Sequence, residues 1–262
     1  MDAPHLPMTL PIPTHSKEEM MTVTWNTERR ARRDDAHRPS FDLVVMDMAG
    51  TTVRDDGLVE RAFARTAREA GLDTYMPLAS AAQYVHDTMG QSKIAVFRHL
   101  TAGNEAAAQE ANRLFERSYG ELAETEGVEE VPGAGAAIAA LRDAGLRVVL
   151  TTGFSPATRD ALLSHLGWVV DGALSPADAG GRGRPAPDMI LSAIVATKAR
   201  AVSSVVVVGD TASDMIAGRN AGAGAVVGVL TGSHDLARLT EAGADAVLES
   251  VAALPRFLLE LP

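Results

Sequence analysis

Residues 43–53, LVVMDMAGTTV, join a run of apolar residues to an acidic residue and a glycine turn. The apolar run is typical of a strand that is covered on both faces, and Asp47 stands at its carboxyl end. The turn around Gly50 can present amides and hydroxyls to phosphoryl oxygens while Asp47 attacks phosphorus. An aspartate that only caps the turn would give the same local pattern, so this stretch alone leaves both interpretations open.

The rest of the chain predicts an α/β fold built around that strand. Valine-rich runs recur at residues 147–152, 204–210 and 225–230, with a weaker run at 244–250. Helical segments separate them, which is the pattern of a parallel sheet with crossover helices. We therefore predict a Rossmann-like, parallel-sheet hydrolase core made of residues 41–57 and 128–262.

Residues 58–127 carry apolar side chains at spacings of three and four, which predicts helices throughout. An all-helical cap inserted after the first strand would lie over the carboxyl ends of the sheet, where open α/β folds bind ligands. Residues 1–40, rich in proline and charge, are predicted to be a loose extension, to which we assign no function.

Net charge and amino-acid composition exclude several classes of binding partner. The net charge of -10 argues against nucleic acid and against an anionic membrane surface, since both attract positive charge. The chain has no cysteine, which excludes disulfides and thiolate chemistry and favours a cytoplasmic location. The expected partner is a small phosphonate or phosphate substrate. A homodimer is also possible, because the apolar pattern of residues 58–71 fits either a dimer contact or the core of the cap.

Three further clusters follow later predicted strands. Thr152 ends the second strand just before Gly153, Arg184 lies in the loop GRGRPAPD, and Asp210 and Asp214 stand at and after the end of the run 204–210. Alone, each has an ordinary explanation: a strand-to-turn signature, a solvated loop charge, or a helix cap with a surface acid. Together, at the carboxyl ends of parallel strands, they predict a phosphoryl-transfer site with acidic oxygens for Mg²⁺.

The combined motifs resemble the phosphonatase branch of the haloacid dehalogenase superfamily, over residues 41 to 262. The resemblance rests on DMAGTT at 47–52, TTG at 151–153, Arg184 in the third cluster and GDTASDM at 209–215. It implies a role for each position. Asp47 would be the nucleophile, Thr51, Thr152, Gly153, Met89 and Arg184 would contact substrate, and Mg²⁺ would bind Asp47, the Ala49 carbonyl, Asp210 and Asp214.

Ala49 stands where most phosphatases of this superfamily have a second aspartate, which protonates the leaving oxygen. A carbon leaving group gains nothing from that acid; it needs an electron sink, which a lysine imine with an aldehyde supplies. Lys93, four residues after Met89, resembles the Schiff-base lysine of the branch. Burial under the cap would favour the neutral amine that the reaction needs. A lysine that is solvated, or that only binds substrate, is the alternative.

The chain also departs from the branch. Val96 stands at the position of its cap histidine, Phe154 replaces a tyrosine, and the cysteine that follows its nucleophile has no counterpart. His86 or His99 could take over proton transfers.

The leading hypothesis is Mg²⁺-dependent cleavage of phosphonoacetaldehyde or a related phosphonate, through an aspartyl phosphate and a lysine Schiff base. The alternatives are a phosphatase for a small monoester, with Lys93 only binding substrate, and a non-catalytic phosphate-binding protein.

Overall fold

The computed structural model describes residues 24–25 and 41–259, and within them one sheet has seven strands in the order β1-β7-β6-β5-β2-β3-β4. The strands are β1 (Thr24–Trp25), β2 (Leu43–Asp47), β3 (Arg147–Thr151), β4 (Gly172–Leu174), β5 (Val205–Gly209), β6 (Ala225–Val229) and β7 (Ala246–Leu248). Strands β2 to β7 run parallel. The predicted parallel-sheet α/β core is confirmed.

Two strands were not predicted. Strand β4 has only three residues and no valine, so it lacks the apolar run that marks the others. Strand β1 lies inside the segment predicted as a loose extension, and it pairs antiparallel with β7 at the edge of the sheet. The remainder of that prediction, for residues 1–23 and 26–40, lies outside the described residues.

Four helices lie between β2 and the first helix of the returning core: α1 (Leu58–Glu69), α2 (Leu78–Asp87), α3 (Lys93–Leu100) and α4 (Glu105–Glu126). We refer to residues 58–126 as the cap. The core helices are α5 (Ala134–Asp143), α6 (Pro156–Leu166), α7 (Asp188–Thr197), α8 (Ala212–Ala221), α9 (Leu236–Glu241) and α10 (Leu254–Leu259). None of the helices described is both long and apolar enough to cross a bilayer.

The register of the sheet brings the predicted clusters to one edge. Strand β2 lies between β3 and β5, and every residue of β2 and β5 is buried. Asp47 is directly opposite Thr151 on β3, and Met46 is opposite Val208 on β5. Because parallel strands end together, the residues that follow β3 and β5 meet those that follow Asp47.

The cap packs around an aromatic core. The Phe63 ring on α1 lies 4.9 Å from the Phe97 ring and 4.7 Å from the Phe115 ring, measured between centroids. Asn104 begins the longest cap helix by accepting a hydrogen bond from the Ala107 amide. The buried rings give the cap its own apolar interior, which also reaches the site described next.

Hydrogen bonds join the cap to the sheet. The Ser213 hydroxyl at the start of α8 donates to the Met89 carbonyl at 2.9 Å. On the other side, the Lys93 amide donates to the Gly153 carbonyl at 3.3 Å. The cap is therefore closed over the carboxyl ends of β2, β3 and β5.

Candidate active site

The turn after β2 folds its residues towards the neighbouring strands. The Met48 carbonyl accepts hydrogen bonds from the amides of Thr51, Thr52 and Val53, at 3.1, 2.9 and 2.8 Å. Gly50 has φ +83°, and a Cβ atom there would lie 2.5 Å from an oxygen of Asp210. Position 50 therefore requires glycine, both for its positive φ and because its backbone lies against the Asp210 carboxylate.

Three carboxylates converge at this edge. Asp47, Asp210 and Asp214 are buried, and one oxygen from each lies within 4.8 Å of the others. The Asp210 carboxylate accepts hydrogen bonds from the Thr51 hydroxyl at 2.9 Å and from the Ser233 amide at 2.8 Å. Carboxylate oxygens grouped in this way are the donors that a small hard cation prefers, so the acidic triad fits a divalent metal ion.

The electrostatics of the triad also fit a cation. Burial, together with the neighbouring Asp214 charge, raises the pKa of Asp210 to about 6. Burial likewise raises the pKa of Asp47 well above its usual range, against the lowering effect of Arg184. Both shifts reflect negative charge held away from water, which a bound cation would stabilise.

Arg184 lies between two of the acids. Its Nη1 is 2.5 Å from Asp47 Oδ1, and the same nitrogen donates to Asp214 Oδ1. Burial works against its charge, yet the carboxylates of Asp214 and Asp47 raise the pKa of the guanidinium overall. Its Nε is buried and has no hydrogen-bond partner among the described residues, so this N–H donor is unpaired.

Asp210 and Asp214 are not explained as a helix cap and a surface acid. Helix α8 is capped by Thr211, and Asp214 is buried within the capping box instead of lying on the surface. Asp214 therefore has two tasks, since one oxygen stabilises the helix start and the other contacts Arg184.

A cavity of about 30 Å³ lies between the cap and this edge of the sheet. That is about the space taken by one water molecule in the liquid, so the closed cavity is tight. Its walls include Asp47, Ala49, Asp55, Val59, Met89, Gly90, Lys93, Thr152, Gly153, Phe154, Arg184, Thr211 and Ser233. Most of the predicted site residues thus meet in one place.

Lys93 is the first residue of α3 and is only 7% exposed. Its Nζ lies 5.4, 5.7 and 5.8 Å from the ring centroids of Phe154, Phe115 and Phe63. Burial lowers the pKa of Lys93, and the nearby Asp55 carboxylate opposes that shift. The alternative in which Lys93 is solvated therefore does not hold, because its amine lies in the same cavity as Asp47.

Other predicted residues take different positions. The Thr51 hydroxyl is engaged by Asp210, so it supports the acid instead of facing the cavity. Gly153 is in the cavity wall, where a Cβ atom would lie 2.4 Å from the Gln91 carbonyl oxygen of the cap. His86 and His99 are exposed, and His99 stacks on Tyr84 at 3.8 Å. Neither histidine lines the cavity as its walls are described.

Asp55 and Ser233 were not predicted, yet both line the cavity. Asp55 precedes α1, and its Oδ1 accepts a hydrogen bond from the Val59 amide at 3.1 Å. In sequence this is an ordinary helix-start pattern, which carries no sign of a site. Ser233 binds Asp210 through its backbone amide, a contact that any residue type could make, so its side chain gave no signal.

Comparisons with known proteins show which family this chain resembles. A family model for haloacid dehalogenase-like hydrolases matches residues 41–222. A phosphonoacetaldehyde hydrolase from Bacillus cereus is 31% identical over 225 residues, covering 77% of this chain and 80% of that protein. Hexitol phosphatase A from Escherichia coli strain K12 is 32% identical over 210 residues, covering 79% of this chain and 90% of that protein.

Among solved structures, a phosphonoacetaldehyde hydrolase-like protein from Oleispira antarctica aligns with a TM-score of 0.70. The alignment covers 86% of this chain and 94% of that one, at 21% sequence identity. At this identity the likeness supports the fold alone.

Gly232 tests the metal assignment, because a Cβ atom there would lie 2.0 Å from Asp210 Oδ2. Gly232→Ala must displace this carboxylate, so we expect Mg²⁺ affinity to fall by roughly tenfold or more in a calorimetric titration. Gly120→Ala is the matched control, since its Cβ would meet open space. Equal affinity for the two variants would contradict a metal site at Asp210.

Lys93→Met tests the buried amine. Because burial lowers the pKa of Lys93 from its ordinary 10.5, its charge destabilises the folded protein at neutral pH. The wild type then gains stability as pH rises through the lowered pKa towards 10.5. We expect Lys93→Met to melt at a higher temperature than the wild type at pH 7, and the difference to shrink towards pH 10.5. A difference that grew with pH would contradict the lowered pKa.

Proposed function

The chain belongs to the haloacid dehalogenase-like hydrolase family, and we propose that it cleaves the carbon–phosphorus bond of phosphonoacetaldehyde or a related phosphonate aldehyde. The observation that carries the proposal is the buried Lys93 in one small cavity with Asp47 and Ala49. A nucleophile for phosphorus and an amine for an aldehyde lie together, and no acid stands at position 49. Membership of a hydrolase family makes the chain an enzyme and removes the non-catalytic alternative.

In the proposed reaction Lys93 first joins the substrate to the cap. The Lys93 ammonium first gives up one proton, and the resulting amine attacks the aldehyde carbon. The carbonyl oxygen takes up that proton and a second one from the nitrogen and leaves as water, which gives a protonated imine. The rings of Phe63, Phe115 and Phe154 around Nζ favour the neutral amine, because they solvate a charged one poorly in comparison with water.

Asp47 then attacks phosphorus. The electron pair of the carbon–phosphorus bond moves into the protonated imine, which becomes an enamine, while an aspartyl phosphate forms. Arg184, already in contact with Asp47, would hold the phosphoryl oxygens through its free Nε donor, with the Thr152 hydroxyl and the Gly153 segment beside it. Protonation of the enamine carbon, followed by water attack on the phosphate and the imine, returns phosphate, aldehyde and free Lys93.

The acidic triad is proposed to hold Mg²⁺, together with the Ala49 carbonyl. When bound, the ion supplies positive charge for the phosphoryl oxygens. Met89 lies in the cavity wall on the cap side, and we propose that it contacts the substrate chain. A homodimer through residues 58–71 and a cytoplasmic location stay predictions.

Borohydride trapping tests the imine. With phosphonoacetaldehyde and borohydride, the wild type should gain a mass adduct on Lys93, because reduction fixes the imine. Lys93→Arg keeps the charge but cannot form the imine, so phosphate release should fall on the order of a thousandfold or more. Lys198→Arg, at an exposed lysine on the core, is the control and should retain both. Phosphate release without any adduct would contradict the proposal.

The second candidate is a phosphatase for a small monoester, and the similarity to hexitol phosphatase A favours keeping it. In that case Lys93 would only bind substrate. Ala49 makes expulsion of an alkoxide slow, because nothing at that position can protonate the leaving oxygen.

Ala49→Asp tests the role of position 49, and the substrate preference of the wild type separates the two candidates. Under either candidate the variant should gain hydrolysis of small phosphate monoesters, by roughly tenfold to a hundredfold, because the new carboxyl can protonate an alkoxide. Its activity on phosphonoacetaldehyde should fall, since the cavity loses space. Steady-state assays of wild type and variant with both substrate classes would measure the gain on monoesters and the loss on phosphonoacetaldehyde. A wild type that is already faster on monoesters than on phosphonoacetaldehyde would favour the phosphatase.

A further inference from the structure

Imine formation requires a proton carrier in the cavity. Starting from the lysine ammonium, two protons must move from nitrogen to the aldehyde oxygen, which leaves as water, and one proton stays on the iminium nitrogen. Atoms and charge balance when one ammonium and one aldehyde give one protonated imine and one water. Some group close to Lys93 must therefore take a proton from nitrogen and return it to oxygen twice.

Few groups in the described walls can do this. The titratable side chains that line the cavity are those of Asp47, Asp55, Lys93 and Arg184. Arg184 keeps its proton, and Asp47 is both bound by Arg184 and needed for attack on phosphorus. Asp55 is the group that remains.

Beyond the walls, Glu116 is engaged, two cap histidines are exposed, and burial raises the pKa of the Tyr119 phenol, so that it keeps its proton. Glu116 acts on Lys93 through its charge, but its oxygens accept hydrogen bonds from the Ser155 amide and from the hydroxyls of Ser155 and Thr158. His86 and His99 are exposed on the cap. These contacts leave Asp55 as the carboxylate best placed to exchange protons with Lys93.

The position of Asp55 is fixed by the fold. Its backbone carbonyl accepts from the Leu58 amide, and its Oδ1 accepts from the Val59 amide, so the start of α1 holds the carboxylate at the cavity wall. Among charged groups, Asp55 has the largest effect on Lys93. Burial raises the pKa of Asp55, which brings its protonated form closer to neutral pH.

We propose that Asp55 is the catalytic residue that carries protons between the Lys93 nitrogen and the aldehyde oxygen while the imine forms and while it hydrolyses. The carboxylate takes a proton from the ammonium, which frees the amine for attack. It gives that proton to the oxygen of the addition product, takes the second from nitrogen and delivers it as water leaves. This assignment rests on the proposed function, and nothing else in the mechanism changes.

The chain offers variants that separate this role from a helix-start role. Asp55→Asn keeps an Oδ1 acceptor for the Val59 amide but cannot carry a proton, whereas Asp55→Ala loses both. Asp55→Glu keeps a carboxylate on a longer side chain. Asp56→Asn is the control, because Asp56 is exposed, binds Arg54 and has φ +43°, a conformation that asparagine tolerates.

The measurement is the initial rate at which borohydride-trapped adduct appears on Lys93 with phosphonoacetaldehyde, followed by mass spectrometry, together with the melting temperature of each variant. We expect Asp55→Asn and Asp55→Ala to slow the adduct by roughly a hundredfold or more. Asp55→Asn should melt like the wild type, Asp55→Glu should retain more of the rate than Asp55→Ala, and Asp56→Asn should match the wild type within about twofold.

Any other outcome contradicts either the role of Asp55 alone or the proposed function as a whole. An adduct that forms at the wild-type rate in Asp55→Asn, or a loss confined to Asp55→Ala with a lowered melting temperature, overturns the role of Asp55 and leaves the proposed function standing. If Asp55→Asn does not fold, equal rates for Asp55→Glu and Asp55→Ala overturn the role. No adduct on Lys93 in the wild type overturns the proposed function and this role with it.

Discussion

The site depends on an imbalance of buried charge at the end of β2. Three carboxylates and one guanidinium share this space, so two negative charges remain without a counter-ion when all four are ionised. Burying uncompensated charge is costly, and the raised pKa values of Asp47 and Asp210 express that cost. A divalent cation and a phosphoryl group approached by Arg184 would resolve it. Gly50 and Gly232 belong to the same arrangement, because both let the backbone approach Asp210 closely.

The cap adds the opposite environment to the same cavity. The wall around Lys93 is aromatic, with Phe63 and Phe115 from the cap and Phe154 from the core, so it favours a neutral amine in the same cavity as Asp47. The hydrogen bonds from Ser213 to Met89 and from Lys93 to Gly153 hold these two environments together. In the proposed reaction the core thus supplies charge compensation at phosphorus, and the cap supplies an uncharged nucleophile for the aldehyde carbon. Closure of the cap brings the two together.

The sequence predicted the parts of this arrangement that have a strong local pattern. Valine-rich runs gave five of the strands, and acids at strand ends gave Asp47, Asp210 and Asp214, because parallel strands end at one edge. Contacts between distant residues were not predictable in this way. The Thr51 hydroxyl reaches Asp210 across 159 positions of sequence, and nothing local distinguishes it from a phosphate ligand. Asp55 was missed for a related reason, since a helix-start aspartate has the same pattern whether it faces solvent or a cavity.

Ala49, Lys93 and Asp55 form one specialisation under the proposed function. An acid at position 49 would serve an oxygen leaving group, and its absence leaves the proton transfers of the reaction at the other end of the substrate, around the lysine nitrogen. The cap carries Lys93, and Asp55 sits at the junction where the chain enters the cap, so acid–base chemistry has moved from the strand β2 turn to the start of α1. Under the proposed function a substrate has to place phosphorus at Asp47 and a carbonyl at Lys93, and both residues line the same cavity. A leaving group without a carbonyl would meet neither an acid beside Ala49 nor an electron sink at the cap.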